Sequence, residues 1–423
     1  MLKTTRRKRV LFSTLVAMLK GLKILLGVSG GIATYKSCEL LRLLQKEGAE
    51  VRVAMTHSAT QMVGVETFQA LSRYTVSTQI FNSSRSQDWF EHIDLSRWAD
   101  LMIIAPATAN TLANIANGTT PDMVALMAMA TSAPKMICPS MNTVMLMSPA
   151  VQRNIQTLKS DGHQILDSND GILACGEVGA GRLPEPHEIR DQVILWHLNQ
   201  LQNSNNTPKP NILITAGRTE EAIDPVRYIS NKSSGKTALT FAKEFLQAGY
   251  PVKLLCGPID EEIPSWINTT RFKSSKDLDN LLKQNFPESQ VLIQAAAVAD
   301  YRPSTISSNK IKSSRDLNEI KLTANDDLLA KYTKLGTSNQ YIVGFALETT
   351  NVIANAITKI NKKGCPLLVV NNPVQADSGF GKTEVLSGIL VQGQDNLELK
   401  IQSKSDLAKQ VIIKVSEFFK VHS

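Results

Sequence analysis

Short apolar runs alternate with amphipathic stretches along most of the chain. In the first half, residues 22–28 and 50–56 read as strands flanking a helix over 32–47, and two further buried strands fall at 101–105 and 135–139. Such alternation indicates βαβ units and a parallel sheet. The pattern lapses over 201–210, where Asn, Ser, Thr and Pro dominate, and this composition predicts a linker. It then restarts, with strands at 211–215, 251–256, 291–296, 341–345 and 366–370 and a helix over 234–248. The prediction is an α/β protein with two doubly wound, Rossmann-like domains, residues 21–200 and 211–423. Open sheets of this kind bind ligands beyond the carboxyl ends of their strands, so the strand-end loops are where chemistry is sought.

Composition changes this picture little. The chain is 43% hydrophobic and 20% charged, ordinary for a soluble globular protein. The formal charge is +8, but Lys3, Arg6, Arg7, Lys8, Arg9 and Lys20 lie in a first stretch of 20 residues without an acid. The remainder is nearly neutral, which gives no argument for nucleic-acid binding. The basic cluster and the apolar run 10–19 resemble a leader. However, no small-residue cleavage site follows, and the run falls short of the roughly 20 apolar residues of a membrane span. Residues 1–20 are therefore read as a loose tail or a mis-assigned start, with Met18 the natural initiator. The expected location is the cytoplasm. Five scattered cysteines without a CxxC pair argue against a disulfide framework or structural zinc.

The first strand ends in Gly27-Val28-Ser29-Gly30-Gly31-Ile32-Ala33 and runs into a helix. This is either a phosphate cradle at a helix start or a tight strand–helix turn. The GxGxxG spacing is absent and no acid ends the second strand, so a mononucleotide fits better than a dinucleotide. His92 lies just before the strand 101–105, which ends in Pro106-Ala107-Thr108-Ala109-Asn110-Thr111. A later strand ends in Pro139-Ser140-Met141-Asn142. The segment 171–186 is too glycine-rich for a core element and reads as a mobile flap carrying Cys175.

In this order the four motifs resemble those of the flavin-dependent cysteine decarboxylases, specifically the bifunctional phosphopantothenoylcysteine decarboxylase/phosphopantothenate–cysteine ligases of coenzyme A biosynthesis. The resemblance covers about residues 20–420 and implies a flavodoxin-like N-terminal fold. It implies FMN at the first glycine-rich turn, contacted by Ser29, Gly30 and Gly31, with Thr108 and Asn110 close by. It also implies that His92, Asn142 and Cys175 act on the substrate. A cysteinyl carboxylate leaves as CO₂ only if an electron sink is created, and oxidation of the thiol by a flavin creates one. Histidine suits proton handling near neutral pH, and an asparagine amide can hold a carboxylate without adding negative charge. A cysteine on a water-excluding flap suits the final protonation.

In the second half, Ala216-Gly217-Arg218-Thr219 ends a strand, and Asn231-Lys232-Ser233-Ser234-Gly235-Lys236 opens a helix. The latter suits phosphate, or a helix cap by Ser233 or Ser234, and one residue can do both. Asp300 ends the strand 291–296 region, with Lys310 and Lys312 ten and twelve residues on, either a solvated pair or part of a nucleotide site. Lys359 and Lys363 stand at i,i+4 spacing on a helix. These motifs resemble the ligase half of the same family. The resemblance implies activation of 4′-phosphopantothenate by CTP, with Mg²⁺, and attack of cysteine on the acyl-cytidylate. It places Asn231 at the acyl group. It assigns CTP to Ala296, Asp300, Lys310, Asp326, Asp327, Leu328, Leu329, Phe345, Lys359 and Lys363. It further implies trimers of the flavin domain, dimers of the ligase domain and a dodecamer from both. The chain departs from the family pattern at Ser140, Arg218, Ala222, Ser313, Asp326 and Leu347, and Lys382-Thr383 replaces the usual Ser-Asp. Arg218 stands for a glycine where close backbone approach is expected, so a decarboxylase with an impaired ligase half is the competing reading. A regulatory binding subunit is the third, disfavoured by the joint presence of His92, Asn142 and Cys175.

Overall fold

The structure is a computed structural model that describes residues 16–80, 91–174, 176–204, 207–311, 319–372 and 384–421. Contacts divide the chain into a unit spanning Ala17–His197 and one holding Leu198–Ser423. Cys175, Lys312, Ser313, Lys382 and Thr383 lie outside the described residues.

The first unit contains, in order, β1 (Lys23–Val28), α1 (Thr34–Lys46), β2 (Glu50–Met55), α2 (His57–Met62), α3 (Val65–Ser72), α4 (Glu91–Trp98), β3 (Leu101–Ala107), α5 (Ala109–Ala116), α6 (Met123–Ala130), β4 (Lys135–Pro139), α7 (Thr143–Met147), α8 (Pro149–Ser160), β5 (Gln164–Ile165), β6 (Asn169–Ile172), β7 (Val178–Arg182) and, up to His197, the greater part of α9 (Pro186–Asn203). Five strands form a parallel sheet in the order β2-β1-β3-β4-β5. β3 is buried at all seven positions, as a central strand covered by helices on both faces must be. The chain leaves β1 toward β2 and later returns through β3 on the other side. The topological switch point therefore lies between β1 and β3, where such sheets bind ligands.

Three expectations shift. Met18 and Leu19, assigned to the tail, are buried at 1% and 0% exposure. The Leu19 N–H donates to the Glu47 carbonyl at 2.8 Å, so these apolar side chains cover the turn after α1. Helix α9 runs to Asn203, through the first residues of the expected linker. The expected loose flap is an antiparallel hairpin, β6 with β7. Glycine-rich sequence hid it, because main-chain pairing needs no side chain.

The second unit contains β8 (Ile212–Ala216), β9 (Glu220–Ala222), β10 (Tyr228–Ser230), α10 (Lys236–Gln247), β11 (Val252–Cys256), β12 (Thr269–Arg271), α11 (Ser275–Asn285), β13 (Val291–Gln294), β14 (Tyr301–Pro303), β15 (Leu322–Ala324), α12 (Leu328–Leu335), β16 (Tyr341–Leu347), α13 (Val352–Lys363), β17 (Leu367–Asn372), β18 (Glu384–Val391), β19 (Lys400–Ser403) and α14 (Lys404–Val421). The sheet order is β12-β11-β8-β13-β16-β17-β18-β19. Strands β12, β11, β8, β13, β16 and β17 are parallel, and β18 and β19 add an antiparallel edge that hydrophobic alternation did not reveal. The switch point lies between β8 and β13. A core of Leu213, Leu292, Tyr332, Ile342 and Leu368 packs under α11, α12 and α13. β17 continues two residues past the expected end, which carries Asn371 and Asn372 to the strand-end region.

Candidate functional sites

In the first unit, the β1–α1 and β3–α5 loops are tied together. The Ser29 hydroxyl donates to the Pro106 carbonyl at 2.7 Å and accepts from the Thr108 N–H at 3.0 Å. Ser29 is 1% exposed. Its hydroxyl is a brace between the loops. A Cβ at Gly30 would lie 2.3 Å from Ser58 Cβ, so only glycine lets this turn pack against the start of α2. A Cβ at Gly31 would meet only Thr108 Cγ2 at 3.7 Å, so the other side of the loop is open. The α1 and α5 starts thus lie side by side at the switch point, with Asn110 exposed. Two helix N-termini offer main-chain N–H groups and positive dipole ends to one anion. The glycine turn, the open face and the paired helix starts fit the phosphate of a flavin mononucleotide.

Asn142 caps α7. Its side-chain oxygen accepts from the Met145 N–H at 3.0 Å, which leaves its amide N–H₂ to donate outward, and Glu177 accepts one of these bonds at 3.3 Å. The hairpin is docked beside it: Met141 N–H donates to the Gly181 carbonyl at 3.0 Å, and Thr143 Oγ1 to the Ala180 carbonyl at 2.7 Å. Gly181 has φ +124°, and a Cβ there would sit 2.0 Å from the Met141 carbonyl oxygen. Gly181→Val is therefore expected to lift the hairpin from Asn142, at a cost of roughly 1–3 kcal/mol from backbone strain alone. Decarboxylation and melting temperature should both fall, and a variant with wild-type values of both would contradict this docking.

His92 sits half-buried in the first turn of α4. Of the cysteines, Cys138, Cys256 and Cys365 are buried and Cys38 is half-buried. Burial pushes all four thiols up, Cys365 to about 11, so none is activated as a nucleophile or acid at neutral pH.

In the second unit a cavity of about 790 Å³ opens at the carboxyl ends of the central strands. The β13 end contributes Ala296 and Asp300, and the α12 start contributes Asp326, Asp327, Leu328 and Leu329. Phe345 comes from β16, Lys359 and Lys363 from α13, and Asn231 from the loop before α10. The structure thus brings together every predicted ligase residue except Lys310. Lys310 is exposed and absent from this lining. It precedes Ile311, whose N–H is held by Asp224 at 3.2 Å. Burial raises the Asp224 carboxyl, but N–H bonds from Val226, Ile311 and Arg227 outweigh this and hold it below its usual range.

Lys363 pairs with Asp327, which also caps α12 by accepting from the Ala330 N–H at 3.1 Å. Burial lowers the Lys363 ammonium, partly opposed by Asp300. Lys359 lies 3.9 Å from Glu348. Asn231 donates to the Val298 carbonyl at 3.0 Å, bridging the α10 loop to the β13 loop. Arg218 does not obstruct the site. Its guanidinium donates to the Ser233 carbonyl at 2.9 Å and to Asp260 at 3.0 Å, bracing the loop that carries Asn231. Sequence reasoning missed Gln294, Asn371 and Lys404, which also line the cavity. Gln294 and Asn371 each hold a buried side-chain oxygen without a partner among the described residues. A polar residue ending an otherwise apolar strand was the available signal for the first two.

Two α/β units, one with a mononucleotide cradle and one with a lysine-rich strand-end cavity, define a two-site nucleotide- and flavin-using protein. The flavoprotein family matches residues 13–198, and the DNA/pantothenate metabolism flavoprotein C-terminal domain family matches residues 208–419. The coenzyme A biosynthesis bifunctional protein CoaBC of Vibrio cholerae is 38% identical over 402 residues, 94% of this chain and 99% of that one. Its namesake from Bacillus subtilis is 37% identical over 408 residues, 95% and 98% of the two chains. A crystal structure of the C-terminal domain of a CoaBC protein is 29% identical, covering 50% of this chain and 96% of that one at a TM-score of 0.41. The chain belongs to the CoaBC family of bifunctional coenzyme A biosynthesis proteins. It is an enzyme with a decarboxylase half and a ligase half. Among the described residues, no helix is long and apolar enough to cross a membrane.

Proposed function

We propose that the second unit joins 4′-phosphopantothenate to cysteine at the expense of CTP, and that the first unit decarboxylates the resulting 4′-phosphopantothenoylcysteine to 4′-phosphopantetheine. The observation that carries this reading is the ligase cavity, where nine of ten residues assigned to CTP from sequence converge with Asn231 at one switch point. A carboxylate is unreactive toward an amine, so activation by a nucleotide is required. Lys359 and Lys363 supply positive charge for phosphates, and Asp300, Asp326 and Asp327 supply acceptors for sugar, base or hydrated Mg²⁺. Lys310 keeps its triphosphate role on the resemblance alone.

In the first unit, Gly30, Gly31, Thr108 and Asn110 would hold FMN by its phosphate at the paired helix starts, with Ser29 locking the two loops. Bound there, the flavin supplies a two-electron acceptor. Asn142, its oxygen committed to the α7 cap, presents amide N–H groups suited to a carboxylate. His92 handles the proton, and Cys175 is the proposed donor in the final protonation. Exposed Val144, Met147, Ile172 and Val178, at 72%, 63%, 72% and 79%, cluster on α7 and its hairpin, an apolar surface suited to cover by a second copy of the chain. Purified protein incubated with phosphopantothenate, cysteine, CTP and Mg²⁺ is expected to yield phosphopantetheine by mass, with CTP required. Accumulation of phosphopantothenoylcysteine alone would remove the decarboxylase half of the reading, and no product would remove the ligase half.

A further inference from the structure

Strand β7 ends at Arg182, and Leu183, Pro184 and Glu185 lead from it into α9. Leu183 is buried and anchors this segment without any ion pair. Yet one oxygen of Glu185 accepts from two cations, Lys36 Nζ at 2.8 Å and Arg182 Nη2 at 2.7 Å. Lys36 is the third residue of α1, 149 residues away in the chain, and its side chain is only 12% exposed. Arg182 lies across β6, where a Cβ at Gly171 would meet its Nη1 at 2.8 Å. A second acid secures the same base of the hairpin. Glu188 accepts from the Glu185 N–H and from the Asn169 side chain, both at 2.7 Å.

These contacts join two parts of the proposed decarboxylase site. Helix α1 begins at the flavin cradle. The Gly181 carbonyl, next to Arg182 in the chain, holds the Met141 N–H, and Asn142 follows. The connection thus runs from the cradle helix through Lys36, Glu185 and Arg182 to the hairpin and the asparagine beside it. Decarboxylation needs the substrate thiol at the flavin and its carboxylate at the amide together. A misplacement of about 1 Å, even from a change far from the chemistry, can cost about 10²-fold in rate. Exposed ion pairs add little to stability, but this one ties segments far apart in sequence and withdraws Lys36 from water. The hydrogen bond from Lys36 is the largest influence on Glu185. With the charges of Lys36 and Arg182 it outweighs burial and holds the carboxyl below its usual range, so the bridge stays ionised at neutral pH.

We infer that Lys36 and Glu185 are positioning residues for decarboxylation: their ion pair, shared with Arg182, seats the hairpin against the cradle helix and fixes the spacing between the flavin and the carboxylate site at Asn142. They act through the hairpin and not on the substrate. The inference rests on the proposed decarboxylase reading.

The test uses the full-length chain with FMN and its Glu185→Gln, Lys36→Met and Lys36→Arg variants, together with the double variant Glu185→Gln/Lys36→Met. CO₂ release from supplied phosphopantothenoylcysteine gives kcat and KM, and visible absorbance gives FMN content. Subtilisin cleavage mapped by mass reports opening of residues 171–182. Glu185→Gln and Lys36→Met should each lower kcat by about 10–100-fold, keep their FMN and be cut faster in the hairpin than the wild type. The double variant should lose no more than the worse single one, because both changes break one bridge. Lys36→Arg should recover most of the rate. Wild-type kcat in Glu185→Gln and Lys36→Met would overturn the inference. So would losses that multiply in the double variant, or a fall in FMN content and melting temperature that accounts for the lost rate, which marks a bridge that only supports the fold. If the wild-type chain releases no CO₂, the decarboxylase reading fails by itself. Faster hairpin cleavage in the variants, reversed in Lys36→Arg, would then still show that the bridge seats the hairpin, and wild-type cleavage rates would remove it.

Discussion

His92→Asn is expected to abolish CO₂ release from phosphopantothenoylcysteine while the purified protein remains yellow. Asparagine keeps a hydrogen-bonding side chain of similar reach but cannot gain or lose a proton near neutral pH. Removing a positioned proton carrier costs about 10²–10⁴-fold in rate. The fold should tolerate the change, because other residues anchor α4. Leu95 is buried, and Thr131 Oγ1 donates to the Ser96 carbonyl at 2.7 Å. The cofactor should also stay, since the proposed cradle is built by the 29–31 and 108–110 loops rather than by α4. The measurements are the visible absorbance of the purified variant and CO₂ release from supplied substrate. Wild-type turnover would overturn the assignment of His92, and loss of the yellow colour would move its role to cofactor binding.

The second large effect is expected at Lys363. Lys363→Met should lower CTP-dependent ligation by about 10²–10³-fold, or about 2.7–4 kcal/mol, the usual loss for one preorganised charged donor. It should leave decarboxylation of supplied phosphopantothenoylcysteine intact. Methionine keeps the apolar stem of a side chain that is only 17% exposed, so packing changes little. Asp327 loses its cation but still caps α12 through the Ala330 N–H. Ligation followed as pyrophosphate release, beside CO₂ release from the same preparation, separates the two halves. Equal loss of both activities would refute independent sites, and unchanged ligation would remove Lys363 from the nucleotide site.

The ligase half carries the departures from the family pattern, and the structure changes how they read. Arg218 introduces a side chain where a glycine is usual, but the guanidinium turns to Ser233 and Asp260 and leaves the cavity open. Asp326 stands in the cavity wall and lies 3.7 Å from Lys331. The structure offers no account of Ala222 in place of proline. Ser313 and the Lys382-Thr383 pair lie outside the described residues.

What the sequence determined by itself is local in origin. The alternation of apolar runs and amphipathic stretches specified two α/β units, because periods of 2 and 3.6 residues are read within one element. The glycines after β1 and the polar residues after β3, β4, β13 and β16 marked the strand ends as sites, since that topology places ligands there. Tertiary structure decided the rest, because it depends on register between segments far apart in the chain. Gln294, Asn371 and Lys404 meet in one cavity only once β13, β17 and α14 are in place. Ser29 became a brace because Pro106 and Thr108, 77 and 79 residues on, arrive within reach of its hydroxyl. The glycine-rich flap became a hairpin docked on Asn142 because main-chain pairing leaves no periodic side-chain signal. Lys310 was read beside the other CTP lysines but stands outside their cavity, because spacing along a loop does not fix where its side chain lies.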